Sequence, residues 1–339
     1  MRRDILQFIL LLIIPVSGLF SQDFHYSQFY NEPLNFNPSL TGIFDGDKRM
    51  ILSLRDQYRS IPVPYFTFSG NYDMKFLPPK AQKGFFSGGV VFNYDRQGSS
   101  ALTLFNLNFA GSYTYYINTN NLITGGALLG YSNRGFSEDN LSWDNYWDPV
   151  REVVDVSLGS GENFERYRFS YLETGLGVNY RYQHSPRNSI TLGASAFHLN
   201  RPSQNFSGVT TDQLDMRMSL MGILNIKLTQ ALDFQGHLLY QAQDVYKETV
   251  IGGLIKIRVN NKRGKKLGVH LGLMGRLGEG LAPKFAVEYN EWYVSFNYDV
   301  VTKTDLSEYT NYRGGPEVHL RYIIKNVKPF GEFKICPIY

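Results

Sequence analysis

Residues 214–228 read LDMRMSLMGILNIKL. Leu214, Met216, Met218, Leu220, Leu224, Ile226 and Leu228 alternate with Asp215, Arg217, Ser219, Asn225 and Lys227. A repeat of two is the period of a strand, whose successive side chains leave opposite faces. Three other stretches repeat the pattern. In 101–116, Phe105, Leu107, Phe109, Tyr113 and Tyr115 oppose Asn106, Asn108, Ser112 and Thr114. In 267–276, Leu267, Val269, Leu271 and Leu273 oppose His270 and Arg276. In 291–300, Trp292, Val294, Phe296, Tyr298 and Val300 alternate with Glu291, Ser295, Asn297 and Asp299.

A soluble sandwich also alternates, so three further features decide the class. The segments run ~10–16 residues, long for soluble strands but right for tilted membrane strands. The apolar face often ends in an aromatic ring, as at Tyr94, Tyr131, Tyr180, Tyr182, Tyr240, Tyr289, Trp292 and Tyr322, which interfacial girdles require. The polar face carries Arg55, Asp73, Glu173, Arg181, Arg217, Lys256, Arg258, Glu288, Glu317 and Arg321. A dry core cannot hold such charges unpaired, whereas a wet or hydrogen-bonded lumen can. The expected fold is therefore all-β, a transmembrane antiparallel barrel with those charges facing the lumen.

Strands are expected at 49–59, 64–75, 84–96, 101–117, 121–134, 167–182, 188–198, 213–228, 232–243, 248–259, 266–276, 282–289, 291–300 and 315–324. That makes 14, an even number as bacterial barrels have. The longest connections, 135–166, 199–212 and 301–314, all follow odd strands, while those after even strands are short. If the chain enters from the periplasm, the long loops face outward and both termini are periplasmic.

Composition removes other classes. Hydrophobic residues make up 43%, charged residues only 19%, and mean hydropathy is −0.26. A helical membrane bundle needs repeated spans of ~20 apolar residues. A net charge of +4, evenly spread, gives no nucleic-acid signature. Cys336 is the single cysteine, which excludes a disulfide framework or a thiolate metal cluster within one chain. Residues 1–21, MRRDILQFILLLIIPVSGLFS, join a basic start to an apolar run from Ile5 to Ile14, broken only by Gln7. This reads as a secretory signal cleaved before Gln22, and places the chain in a Gram-negative outer membrane among lipids. No cofactor is expected.

Between signal and barrel lies a pre-barrel segment, 22–48, reading QDFHYSQFYNEPLNFNPSLTGIFDGDK. It is too irregular for a strand and too rich in Pro, Asn and Gly for a long helix. Phe24, Tyr26, Phe29, Tyr30, Leu34 and Phe36 need burial, so the segment is expected in the lumen or along the periplasmic rim. Residues 49–339 form the barrel.

This segment resembles the signature of the PorP/SprF family of type IX secretion outer-membrane proteins. The resemblance rests on Gln22-Asp23, Ser27-Gln28-Phe29-Tyr30, Asn37-Pro38-Ser39 and Thr41-Gly42, followed by Arg55-Asp56-Gln57-Tyr58, Tyr65-Phe66-Thr67 and Tyr72-Asp73. Ser39 and Tyr58 depart from the usual Ala and Trp. The matches cover residues 22–75, and the strand pattern and Cys336-Pro337-Ile338-Tyr339 tail agree with them. What the resemblance implies is a non-enzymatic barrel of the secretion and gliding machinery. Its partners would be type IX components and a secreted, adhesin-like surface protein that it helps export or hold at the cell surface. On that reading Ser27, Gln28, Phe29, Tyr30, Asn37 and Pro38 are candidate partner-binding residues. A porin or solute-uptake channel is the alternative.

Other chemistry is thin. The loop 138–148, EDNLSWDNYWD, offers Trp143, Tyr146 and Trp147 as an aromatic recognition surface. Its acids, Glu138, Asp139, Asp144 and Asp148, lack calcium-loop spacing. Ser195 and His198 are three apart on one strand and so face opposite sides. His237, His270 and His319 point inward by parity, on strands too far apart to assume a metal site.

Overall fold

The computed structural model describes residues 25–325, apart from 60, 62, 63, 77–82, 139, 140, 149, 162, 163, 165, 205, 207–212, 263 and 303–305. Residues 1–21, expected to be an export signal, and Cys336 lie outside the described residues.

Fourteen antiparallel strands close into one barrel. They are β1 (Lys48–Gln57), β2 (Tyr65–Phe76), β3 (Gly84–Gln97), β4 (Leu102–Tyr116), β5 (Asn121–Gly135), β6 (Arg168–Ser185) and β7 (Asn188–Phe197), then β8 (Arg217–Lys227), β9 (Leu232–Gln243), β10 (Tyr246–Asn260), β11 (Leu267–Arg276), β12 (Gly280–Tyr289), β13 (Trp292–Val301) and β14 (Arg313–Ile324). Each strand pairs with its neighbours in sequence, and β1 closes on β14 from Lys48 opposite Ile324 to Arg55 opposite Glu317. Closure matters because an open edge would leave backbone N–H and C=O groups unpaired in hydrocarbon.

The burial pattern is that of a soluble protein turned inside out. In β4, Asn106, Asn108, Ser112 and Thr114 are buried while Phe105, Phe109, Tyr113 and Tyr115 are exposed. Leu52, Leu220, Leu273, Phe285 and Phe296 likewise point outward. A ring of exposed apolar side chains is what acyl chains cover. Aromatic rings mark the short-turn end of that face, at Tyr113, Tyr115, Tyr180, Tyr182, Tyr289 and Trp292, and Tyr131 and Tyr240 mark the other.

The expected strand ends move at a few places. The hairpin between β12 and β13 turns through Asn290, whose φ of +52° its short polar side chain tolerates. β10 starts earlier, at Tyr246, because Asp244 makes a tight left-handed turn. β8 starts later, at Arg217, so Leu214 does not take the lipid face. Its N–H donates to the Pro202 carbonyl at 2.9 Å, and its side chain packs with Phe169 and Tyr171. The long connections 136–167, 198–216 and 302–312 all lie at one end of the barrel. The first of them carries a two-residue ladder, Trp147–Asp148 against Val153–Val154.

The segment before β1 lies inside the lumen. It makes three single turns, Phe29–Asn31, Pro33–Phe36 and Pro38–Leu40. Pro33 and Pro38 each open a turn, where a missing N–H costs nothing. Asn37, in extended backbone, separates the last two turns and caps the second by accepting from Ser39 N. Tyr26, Phe29, Leu34 and Phe36 are fully enclosed. They pack on Phe85, Val91, Leu122, Leu239 and Met274 of the wall. The hydrophobic core of this protein is therefore the interior of its barrel, and the segment supplies about a third of it.

Candidate functional site

Three groups of wall residues clasp this plug. At the seam where the barrel closes, Glu317 accepts the backbone N–H groups of Ser27 at 3.0 Å and Gln28 at 2.9 Å. Ser27 Oγ donates to Asp299 at 2.8 Å, and the Gln28 amide bonds Asn297 and Ser295. Arg55 holds the two acids together. It lies 2.9 Å from Asp299 and 3.5 Å from Glu317, and donates to the His25 carbonyl at 2.7 Å. Buried charges this close persist only with full hydrogen bonding.

The second group is a hollow lined by glycine. A Cβ at Gly126 would sit 2.5 Å from Ser39 N and 2.6 Å from the Pro38 carbonyl. Gly177 and Gly193 face Asn37 in the same way. With no side chains there, Asn37-Pro38-Ser39 lies directly on the wall. Asn37 Nδ2 donates to the carbonyls of Val178 and Ala194, both at 3.2 Å, while Asn179 donates to Ser39 O at 2.7 Å. Ser195 Oγ donates to Phe36 O at 2.6 Å. The serine at position 39 adds something alanine would not: its hydroxyl meets Asn179 Nδ2 at 3.0 Å.

The third group holds the Thr41-Gly42 turn. Asp73 receives a two-pronged bond from Arg49, at 2.9 and 2.8 Å, and also accepts Gly42 N at 2.8 Å. Gly42 has φ +75°, a left-handed conformation that glycine adopts without strain. Ser112 Oγ donates to Thr41 O at 2.8 Å.

Between the clasps, Glu32 sits fully buried among Asn35 and Asn71. Burial pushes its carboxyl up to about 7, against the opposing pull of its hydrogen bonds. Asn35 exchanges amide bonds with Asn93, and Arg217 caps Asn35 O at 2.9 Å. Tyr30 stacks on His237 at 3.8 Å and meets Lys284 on its hydroxyl.

The structure thus uses Ser27, Gln28, Phe29, Asn37 and Pro38 internally. All are buried, and Tyr30 is half-buried, so as a docking surface for another protein they are occluded. Sequence shows which residues want partners but not that the barrel wall supplies them. In the long loop, Trp143 and Tyr146 are half-buried, with Trp143 near Phe164, whereas Trp147 is 51% exposed.

The wall charges point inward. Arg55, Asp73 and Arg217 hold the plug as described. Glu173 lies 2.8 Å from His198, and Arg181 donates to Gln183 and Thr191. Arg258 pairs with Asp233 at 2.7 Å, Glu288 with Lys256 at 2.5 Å, and Arg321 lies over Tyr293 at 4.4 Å. Sequence reading missed Arg49, Glu32, Asn35, Asn179 and Asp299 as clasp residues. Gly125–Gly126 reads in the sequence as close strand approach or a bulge; at Gly126 the close approach is by the plug.

One chain of groups has the look of a nucleophile relay: Ser53 Oγ bonds His319 Nδ1, and His319 Nε2 bonds Glu317 at 2.7 Å. All three are at most 1% exposed under the plug, and Glu317 is committed to the Ser27 and Gln28 amides. Their role is to orient a carboxylate, not to meet a substrate. Ser195 and His198 do not face each other either, since each has its own partner.

Among solved structures the chain is similar to a Pseudomonas aeruginosa FadL homologue, with 9% identity and a TM-score of 0.50 over 84% of this chain and 92% of that one. It is also similar to the Ralstonia pickettii toluene transporter TbuX, with 12% identity and a TM-score of 0.46 over 85% and 92%. At these identities the likeness concerns the barrel fold alone. No curated protein matches the chain. The profile of the type IX secretion system membrane protein PorP/SprF family matches residues 19–322. Spanning the plug and nearly all of the barrel, that match makes this chain a member of the type IX secretion system membrane protein PorP/SprF family.

Proposed function

We propose that this protein is a plugged, non-enzymatic platform of the type IX secretion and gliding machinery, not a conduit. It supports export or surface attachment of an adhesin-like secreted protein. The observation that carries the reading is the plug itself: the family's signature residues are spent on sealing the lumen through three clasps. A barrel that invests its signature in closing its own bore offers its ends, not its interior, to partners. With both termini in the periplasm, the long loops face outward. They present Trp147, Val150, Val154 and Val156, all at least half exposed, as the partner-facing surface. Seating of Ser27, Gln28 and Asn37 then acts on that surface through the wall.

Planar-bilayer recording tests the seal. Purified protein should show little steady conductance, and large steady channels would overturn the reading in favour of a solute-uptake pore. Photo-crosslinking from position 147 in living cells tests the partner. A secreted surface protein should be captured there, and surface display should fall in cells lacking the barrel. Undiminished display would refute the platform role.

A further inference from the structure

Beside the plug, at the short-turn end, lies a cavity of about 310 Å³. Tyr30 of the plug forms one side, and His237, His270, Tyr293 and Arg321 form the others. Asp45, Asn290 and Glu291 mark its mouth among the turns, where Asp45 and Glu291 are exposed.

The charges inside are almost all spoken for. Lys256 is paired with Glu288, Arg49 with Asp73, and Lys325 with Asp45. Arg321 is different. Its guanidinium lies over the Tyr293 ring, 4.4 Å from the centroid, and among the described residues no carboxylate is within ion-pair distance of it. Stacking fixes the plane of the group while leaving its in-plane N–H fork unspent, the arrangement that reads carboxylate and phosphoryl oxygens.

The two imidazoles add a second demand. His237 is 6% exposed, and neither of its ring nitrogens has a hydrogen-bond partner. His270 is 3% exposed; its Nε2 lies 3.3 Å from Glu288, but its Nδ1 has no partner. A buried polar atom left unpaired costs roughly 1–3 kcal/mol. His237 and His270 both line the cavity, and three such unpaired nitrogens on them, next to an unspent guanidinium, point to a polar guest. A neutral imidazole donates from one nitrogen and accepts at the other, which suits hydroxyl groups.

We propose that this cavity binds a small hydroxylated organic anion, a sugar acid or sugar phosphate, with its acidic oxygens on Arg321 and its hydroxyls on His237 and His270. The volume lies at the lower end of small-ligand sites, right for a single sugar ring and too small for an oligomer. Tyr30 ties the site to the plug: it lines the cavity, stacks on His237 and is held by Lys284.

The test is calorimetric titration of the full mature protein in detergent micelles with glucuronate, glucose 6-phosphate, inorganic phosphate and glucose. Saturable binding of glucuronate and glucose 6-phosphate is expected, at least tenfold tighter than glucose. Affinity should fall at least tenfold in R321Q and partly in R321K, which keeps the charge and loses the fork. H237F should weaken both sugar anions and leave inorganic phosphate unchanged. Heat-modifiable migration in gels confirms that each variant is folded, and R321K serves if R321Q is not. Absence of saturable binding, or equal affinity in the folded Arg321 variants, overturns the proposal. Inorganic phosphate binding as tightly as glucose 6-phosphate overturns the part assigned to the imidazoles.

Discussion

Replacing Gly126 with alanine puts a methyl group against the plug's own backbone. The new Cβ would lie 2.5 Å from Ser39 N and 2.6 Å from both the carbonyl carbon and oxygen of Pro38. Ordinary carbon contacts sit at about 3.5–4.0 Å, so the plug must retreat by about 1 Å. Backbone atoms cannot swing aside as a flexible side chain does. A retreat of that size takes Ser39 out of reach of Asn179, which now donates at 2.7 and 3.0 Å. Two hydrogen bonds at about 1 kcal/mol each, with some residual overpacking, give about 2–4 kcal/mol. At 1.4 kcal/mol per tenfold, the unseated plug becomes about 30- to 700-fold more populated. Hydrogen exchange followed by mass spectrometry reads this directly, because the amides of Leu40 and Thr41 are bonded only within the plug turn. Protection across 33–44 should fall by that factor in G126A. The neighbouring Gly125 is the control, since a Cβ there meets nothing within 4 Å. If G126A and G125A exchange alike in folded barrels, the glycine hollow is not what seats the plug.

Asp73→Asn leaves Arg49 buried without its counter-charge and should cost about 3–5 kcal/mol, seen as a lower temperature for the heat-modified gel shift. An unchanged transition would mean that Asp73 is not the anchor of Gly42. The carboxyl of Glu32, raised to about 7 by burial from an unfolded value near 4.5, favours the protonated plug. A raised folded value stabilises fully below about 4.5, and that stability is lost as pH rises through 7. Glu317, His319 and Tyr26 surround it, and Glu32→Gln should flatten the pH dependence of plug exchange between 5 and 8. The same slope in the variant would assign the titration elsewhere. Trp147→Ala should leave barrel melting within about 0.5 kcal/mol of wild type, as exposed sites do, while reducing crosslinks to the partner. Undiminished capture would move the contact off that loop.

The wall was legible in the sequence because lipid imposes a strict period of two, and a single shift in register would expose every polar residue on one strand. Phe105 to Tyr115 shows that directly. Leu214 misled because a loop folded over the barrel mouth also buries apolar residues, and alternation carries no label for what covers them. The plug was legible as a segment needing burial, since Tyr26, Phe29 and Phe36 cannot stay in water. Its partners were not. Asn37 bonds carbonyls at Val178 and Ala194, and backbone carbonyls leave no trace in composition. Glycines that make room for a ligand segment look, in sequence, the same as glycines at a bulge.

The clasp at Ser27 and Gln28 joins the start of the chain to its end. Glu317 and Asp299 lie 290 and 272 positions beyond Ser27, and Arg55, which braces them, sits opposite Glu317 in the β1–β14 seam. The seam clasp therefore depends on closure of the cylinder, whereas the clasps at Asp73 and Asn179 sit on β2 and β6, strands that do not pair with β14. The plug is a mandrel that the other staves can grip, and the last stave completes the grip. A wall closed without its mandrel would keep Arg55, Asp299 and Glu317 at the seam but strip them of the Ser27, Gln28 and His25 groups they hold, so emptying this barrel means undoing the seam's own hydrogen bonding.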